Sequence, residues 1–75
     1  RQGEARDVLA RLSAREREVA RLLALGLANK EVARLLGISD NTVHVHRQHV
    51  MEKTGTGSAA DLARLILRAD AQGLD

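Results

Sequence analysis

Residues 38–53 read Ile38-Ser39-Asp40-Asn41-Thr42-Val43-His44-Val45-His46-Arg47-Gln48-His49-Val50-Met51-Glu52-Lys53, and their spacing predicts a turn followed by an amphipathic helix. Ser39 stands where an N-cap is wanted, and Asp40 and Asn41 in the first turn suit its unpaired amides and the positive end of the helix dipole. At about 100° per residue, one face collects Val43, Val50 and Thr54, flanked by His46 and Arg47. The opposite face collects His44, Val45, Gln48, His49 and Glu52. A solvated helix face usually carries several Lys, Arg or Glu side chains. This one offers an amide, two imidazoles and an outward Val, groups that can read base edges: Gln on adenine, His on guanine or a phosphate, Val on a thymine methyl. For this helix taken alone, an ordinary solvated surface is the alternative.

Upstream, Asn29 is placed to cap a short helix over residues 30–36 that Gly37 ends, with Val32, Leu35 and Leu36 as its apolar stripe. A helix that short must be held by its neighbours. Two helices joined through Gly37-Ile38-Ser39, the second the longer, fit a helix-turn-helix, in which the first crosses the phosphate backbone and the second, about residues 40–53, enters the major groove. Asn29 and Lys30 then lie at a helix N-terminus, where free amides and a cation can take a phosphate.

Ser13-Ala14-Arg15-Glu16 is a capping box that opens an earlier helix running to about Leu25. Val19, Leu22 and Leu23, with Ala20 at the edge, form its buried stripe, and Gly26 ends it with Leu27 folding back on Leu22. Arg15, Arg17, Glu18 and Arg21 read as a solvated face. Residues 1–12 begin without Met and carry only a short apolar cluster, Val8, Leu9 and Leu12. They are expected to be a linker from a missing N-terminal domain or the tail of a linker helix, so the domain is taken as residues 13–75.

Downstream, Gly55-Thr56-Gly57 separates the long helix from a last one, which Ser58 and Asp61 cap in the same way as Ser13 and Glu16. Leu62, Leu65, Ile66 and Ala69 are its core side. A second stripe, Ala60, Ala63, Leu67 and Ala71 with Leu74 following Gly73, is either harmless surface alanine or a seam at which two copies of the helix meet around a two-fold axis.

Composition narrows the choices. At 75 residues the chain is a single small domain, and the absence of Pro with Leu, Ala and Val at helical spacing predicts an all-α fold. Without Cys there are no disulfides or thiolate metal sites, which allows a reducing compartment; the apolar runs are far short of the roughly 20 residues that span a bilayer. A soluble, cytoplasmic protein is expected. Twelve Lys and Arg nearly balance ten Asp and Glu, so net charge alone says little about nucleic acid. Aromatic residues, on which single-strand binders stack bases, are lacking, and this favours duplex DNA.

The order of residues is also familiar. Leu12-Ser13-x-Arg15-Glu16-Arg17-Glu18-Val19, Gly26-Leu27-Ala28-Asn29-Lys30-Glu31-Val32-Ala33, Ile38-Ser39-x-x-Thr42-Val43-x-Val45-His46-Arg47 and Val50-Met51-x-Lys53 resemble the LuxR-type DNA-binding domain of the LuxR, NarL, FixJ and GerE group, the last run being nearest to FixJ-like response regulators. The match covers roughly residues 12–69. The resemblance implies a four-helix helix-turn-helix domain, a tri-helical core plus a C-terminal dimerisation helix, serving as effector domain of a bacterial transcription regulator. It implies base contacts from His44, Val45 and Gln48 and backbone contacts from Asn29, Lys30, Thr42 and Arg47; His49, on the same outer face, is a further backbone candidate. It implies a homodimer through the last helix, whose interface would be Ala60, Ala63, Leu67 and Ala71, with RNA polymerase a further candidate partner. An N-terminal receiver phosphorylated on aspartate, or a small-molecule sensing domain, is implied as well. Four positions depart from the pattern: His44 replaces a usual Lys or Glu, Thr54 and Thr56 replace apolar residues and predict a looser junction before the last helix, and Ala59 replaces a usual Arg or Asn.

No metal or cofactor is expected. His44 and His46 lie about 200° apart on a helix, and only His46 and His49 could converge, without a carboxylate or thiol to join them. No nucleophile-base set or glycine-rich phosphate loop occurs, so an enzyme is not expected. A sigma-factor promoter-recognition domain and a pure protein-interaction module are the rival classes. The three histidines predict that DNA affinity rises as pH falls toward about 6.

Overall fold

The computed structural model describes residues 4–73, with side chains described as far as Ala71. Among the described residues five helices follow one another: α1 Glu4–Leu9, α2 Ala14–Ala24, α3 Asn29–Leu36, α4 Asp40–Thr54 and α5 Ala59–Gly73. Helices α2 to α5 are the four expected. Helix α1 lies in the segment expected to be a linker or linker-helix tail, and it packs against α5, burying Ala5, while Leu12 just beyond it is buried as well. No helix among the described residues is long and apolar enough to cross a membrane.

Local chemistry sets most boundaries. The Ser13 hydroxyl accepts from the Glu16 N–H at 3.1 Å and the Glu16 carboxylate accepts from the Ser13 N–H at 2.9 Å, which fixes the start of α2. At its end the Leu27 N–H reaches back to the Leu22 carbonyl at 3.4 Å, a Schellman-type closure. Gly37, at φ 67°, ends α3 in the left-handed region; a Cβ there would meet nothing within 4 Å, so the demand on this position is conformational rather than spatial. Ser39 then caps α4 by accepting from the Thr42 N–H at 3.1 Å, and Ser58 caps α5 by accepting from the Asp61 N–H at 3.1 Å.

Two details of α3 differ from expectation. Ala28, not Asn29, occupies the N-cap and makes no side-chain cap; Asn29 is the first helical residue, its carboxamide turned instead toward Arg47. The buried residues are Val32 and Ala33 with Leu36 packed alongside, whereas Leu35 is 57% exposed. Leu35 projects about 100° from the centre of the Val32–Ala33–Leu36 stripe. In an eight-residue helix, packing against α2 and α4 decides which flank is covered.

The core is built around Val19, Leu23, Val32, Val43, Val50 and Leu62, all fully buried, with Leu65, Ile66 and Ala69 completing the inner side of α5. At the α4–α5 junction the two threonines form a polar closure in place of apolar contacts. Thr54 Oγ1 donates to the Val50 carbonyl at 2.7 Å, and Thr56 Oγ1 lies 2.9 Å from Thr54 Oγ1 and 3.1 Å from Met51 Sδ.

Candidate nucleic-acid interface

Burial of Val43 and Val50 fixes the rotation of α4 and turns His44, Val45, Gln48, His49 and Glu52 outward, all exposed. Val45 is 39% exposed with no core role to explain it. His46 and Arg47, on the margin of the inner face, are half-buried. At the start of α4, Thr42 is tied to the cap by a 2.8 Å contact between its hydroxyl and that of Ser39.

Asn29, His44, Arg47, Gln48, His49, Met51 and Glu52 line an open groove of about 660 Å³ between the start of α3 and the outer side of α4. The Arg47 guanidinium donates to the Asn29 carboxamide oxygen at 3.4 Å, so one cation is held beside the N-terminus of α3. That terminus is open: the first helical bond is from the Val32 N–H to the Ala28 carbonyl, and no side chain among the described residues caps the preceding amides. Free amides, the positive end of a helix dipole and a guanidinium together suit an anion. Lys30 is exposed at the same terminus but lines a separate shallow hollow with Ile38 and Asp40. The structure thus gathers Asn29, His44, Arg47, Gln48 and His49 in one groove, with Val45 on the same helix face and Lys30 and Thr42 outside it.

Sequence reasoning missed a further participant. Glu16, accounted for as half of a capping box, is only 5% exposed and reaches across to α4. Its carboxylate takes Lys53 Nζ at 2.8 Å and faces His49 Nδ1 at 3.6 Å. The Lys53 ammonium, then the Ser13 N–H, hold the Glu16 carboxyl below its usual range, against the opposing pull of burial. The C-terminal half of α4 is therefore pinned to the root of α2. Elsewhere Arg15–Glu18, Arg34–Glu31, Arg64–Asp61 and Arg21–Asp70 are exposed pairs, which contribute little to stability.

On α5 the second stripe faces away from the core: Leu67 is 68% exposed, Ala60 and Ala71 are exposed and Ala63 is half-buried. Leu74, which the sequence adds to that stripe, lies outside the described residues.

A short helix packed against a longer one across the turn at Gly37, the longer anchored from beneath by Val43 and Val50 and polar on its outer side, is the arrangement of a helix-turn-helix. Residues 10–66 match the family described as bacterial regulatory proteins, luxR family, and the chain belongs to it. It is 55% identical over 53 residues to the transcriptional regulatory protein UhpA of Escherichia coli K12, covering 71% of this chain and 27% of that protein. It is 46% identical over 68 residues to the transcriptional regulatory protein FixJ of Bradyrhizobium diazoefficiens, covering 87% and 33%. A crystal structure of full-length FixJ from B. japonicum superposes with a TM-score of 0.77 at 43% identity, covering 89% of this chain and 34% of that one. The chain thus spans about a third or less of the length of these relatives. It is a non-enzymatic DNA-binding domain of a transcription regulator.

Proposed function

We propose that this domain binds duplex DNA sequence-specifically by laying the outer face of α4 in the major groove, as the effector domain of a two-component response regulator acting in the cytoplasm. The supporting observation is the pairing of fully buried Val43 and Val50 with outward His44, Val45 and Gln48 on one helix. A helix is about 10 to 12 Å across with its side chains, close to the roughly 12 Å width of the groove. Gln48 and His44 offer hydrogen bonds to base edges, and Val45 offers a methyl contact. Asn29, Lys30, Thr42, Arg47 and His49 flank that face and take backbone phosphates, fixing register without reading sequence.

The outer stripe of α5, Ala60, Ala63, Leu67 and Ala71, pairs two copies on a two-fold site, and RNA polymerase is a partner of the assembled regulator. A phosphorylated receiver elsewhere in the whole protein supplies the input; relatives about three times as long leave room for one. A salt series with a duplex selected from a random pool tests the DNA reading. Lys30 and Arg47 alone contribute a slope of about −2 in log affinity against log salt for each bound copy. No duplex binding at low salt, or a flat slope, would contradict it.

A further inference from the structure

Glu16 is the one buried charged side chain among the described residues, and its two oxygens are used unequally. Oε1 takes both the Ser13 N–H at 2.9 Å and Lys53 Nζ at 2.8 Å. Oε2 faces Nδ1 of His49 at 3.6 Å, an electrostatic contact that a small rotation of the half-exposed ring, 52% accessible, converts into a hydrogen bond. A neutral imidazole has one N–H, and a carboxylate can only accept, so the ring proton is drawn to Nδ1. Nε2, at the far edge of the ring, is then left with a bare lone pair directed away from Glu16. A phosphate meeting that lone pair is repelled; a second proton on the ring turns the same edge into a charged donor.

We propose that Glu16 is a positioning residue for DNA binding: it holds His49 with Nε2 outward, so that contact with a backbone phosphate takes up one proton at His49. The proposal rests on the docking described above, and adds to it a residue that never touches DNA. The groups around His49 are Glu16 from α2 and, on α4, Arg47, Glu52 and Lys53, with His44 and the uncharged Asn29 lining the same groove. Glu16 pairs with Lys53, and Glu52 and Arg47 carry opposite formal charges, so these four groups sum to no net charge around the ring. The arrangement belongs to the folded chain, because Glu16 and Lys53 are 37 positions apart in sequence.

The test uses the whole chain and a short duplex selected from a random pool, at fixed salt from about pH 8 to about pH 6. Wild-type affinity rises about three- to tenfold over that range, the signature of proton uptake on binding. His49→Gln loses the rise, and so does Glu16→Gln. In nitrogen-detected NMR of the free wild-type chain at neutral pH, His49 carries its proton on Nδ1, and in Glu16→Gln the proton moves toward Nε2. A flat wild-type profile, a rise that survives His49→Gln, or a folded Glu16→Gln with an unchanged rise and tautomer overturns the proposal. Should Glu16→Gln fail to fold, the wild-type tautomer decides: Nδ1–H supports the proposal and Nε2–H overturns it. Absence of duplex binding at every pH and low salt overturns the docking itself, whereas the tautomer is measured without DNA, so the two failures are distinguishable.

Discussion

Helices α4 and α5 are each 15 residues long and each buries one side in the same core, yet their free sides differ. Helix α4 contributes two fully buried valines and, on the face opposite them, exposes His44, Val45, Gln48, His49 and Glu52. Helix α5 contributes Leu62, Leu65, Ile66 and Ala69 to the core and leaves Ala60, Ala63, Leu67 and Ala71 largely outside. Core burial fixes how each helix is rotated, and what remains determines the kind of surface each can meet. Hydrogen-bonding groups above a pair of valines suit base edges; small residues around one Leu suit the close approach of a second helix.

Substitutions on the two sides of these helices sharpen the contrast. The largest effect belongs to the buried side: Leu62→Ala costs about 2 to 5 kcal/mol in chemical denaturation, the range for a core Leu. On the opposite side of the same helix, Leu67→Glu leaves the unfolding midpoint within about 0.5 kcal/mol of wild type and lowers self-association in sedimentation. An unchanged mass would remove Leu67 from the interface. On α4, Gln48→Ala costs about 1 to 3 kcal/mol on the selected duplex and much less on unrelated duplexes, measured by titration. Lys30→Ala weakens all sequences alike and reduces the salt slope by about 1, because a phosphate contact carries no sequence information.

A last contrast is a pH dependence of stability. The Glu16 carboxyl has a lower pKa folded than unfolded, so its contribution is fully present above the usual glutamate value of 4.5 and is lost as pH falls through the lower folded value. Glu16→Gln removes that acid-side slope and costs about 1 to 2 kcal/mol near neutral pH, from the weakened cap and the lost Lys53 pair. Equal acid sensitivity of wild type and variant would assign the slope to other carboxylates.

Features that depend on neighbouring residues were legible in the sequence. The caps at Ser13, Ser39 and Ser58, the stop at Gly37 and the rotation of α4 follow from spacings of a few positions, and so does the outward set His44, Val45 and Gln48. A DNA-reading role for that face was suggested by residue type and implied by the order of the family motifs. Features that depend on distant residues were not legible. Asn29 looks like a cap until Arg47, 18 positions away, claims its carboxamide. Leu35 satisfies a helical period, but an eight-residue helix leaves its covered flank to its neighbours. The capping box accounted for Glu16 so fully that nothing local pointed to Lys53 or His49. Six residues were too few to announce that α1 would lie against α5.

The outer face of α4 as the DNA-reading surface is tested most directly by an NMR titration of the chain with its selected duplex. The account predicts contacts between base protons and the side chains of Val45 and Gln48, with the Leu67 methyls showing no contact to any base proton. Base contacts arising from α5, with Val45 and Gln48 unperturbed, would contradict it.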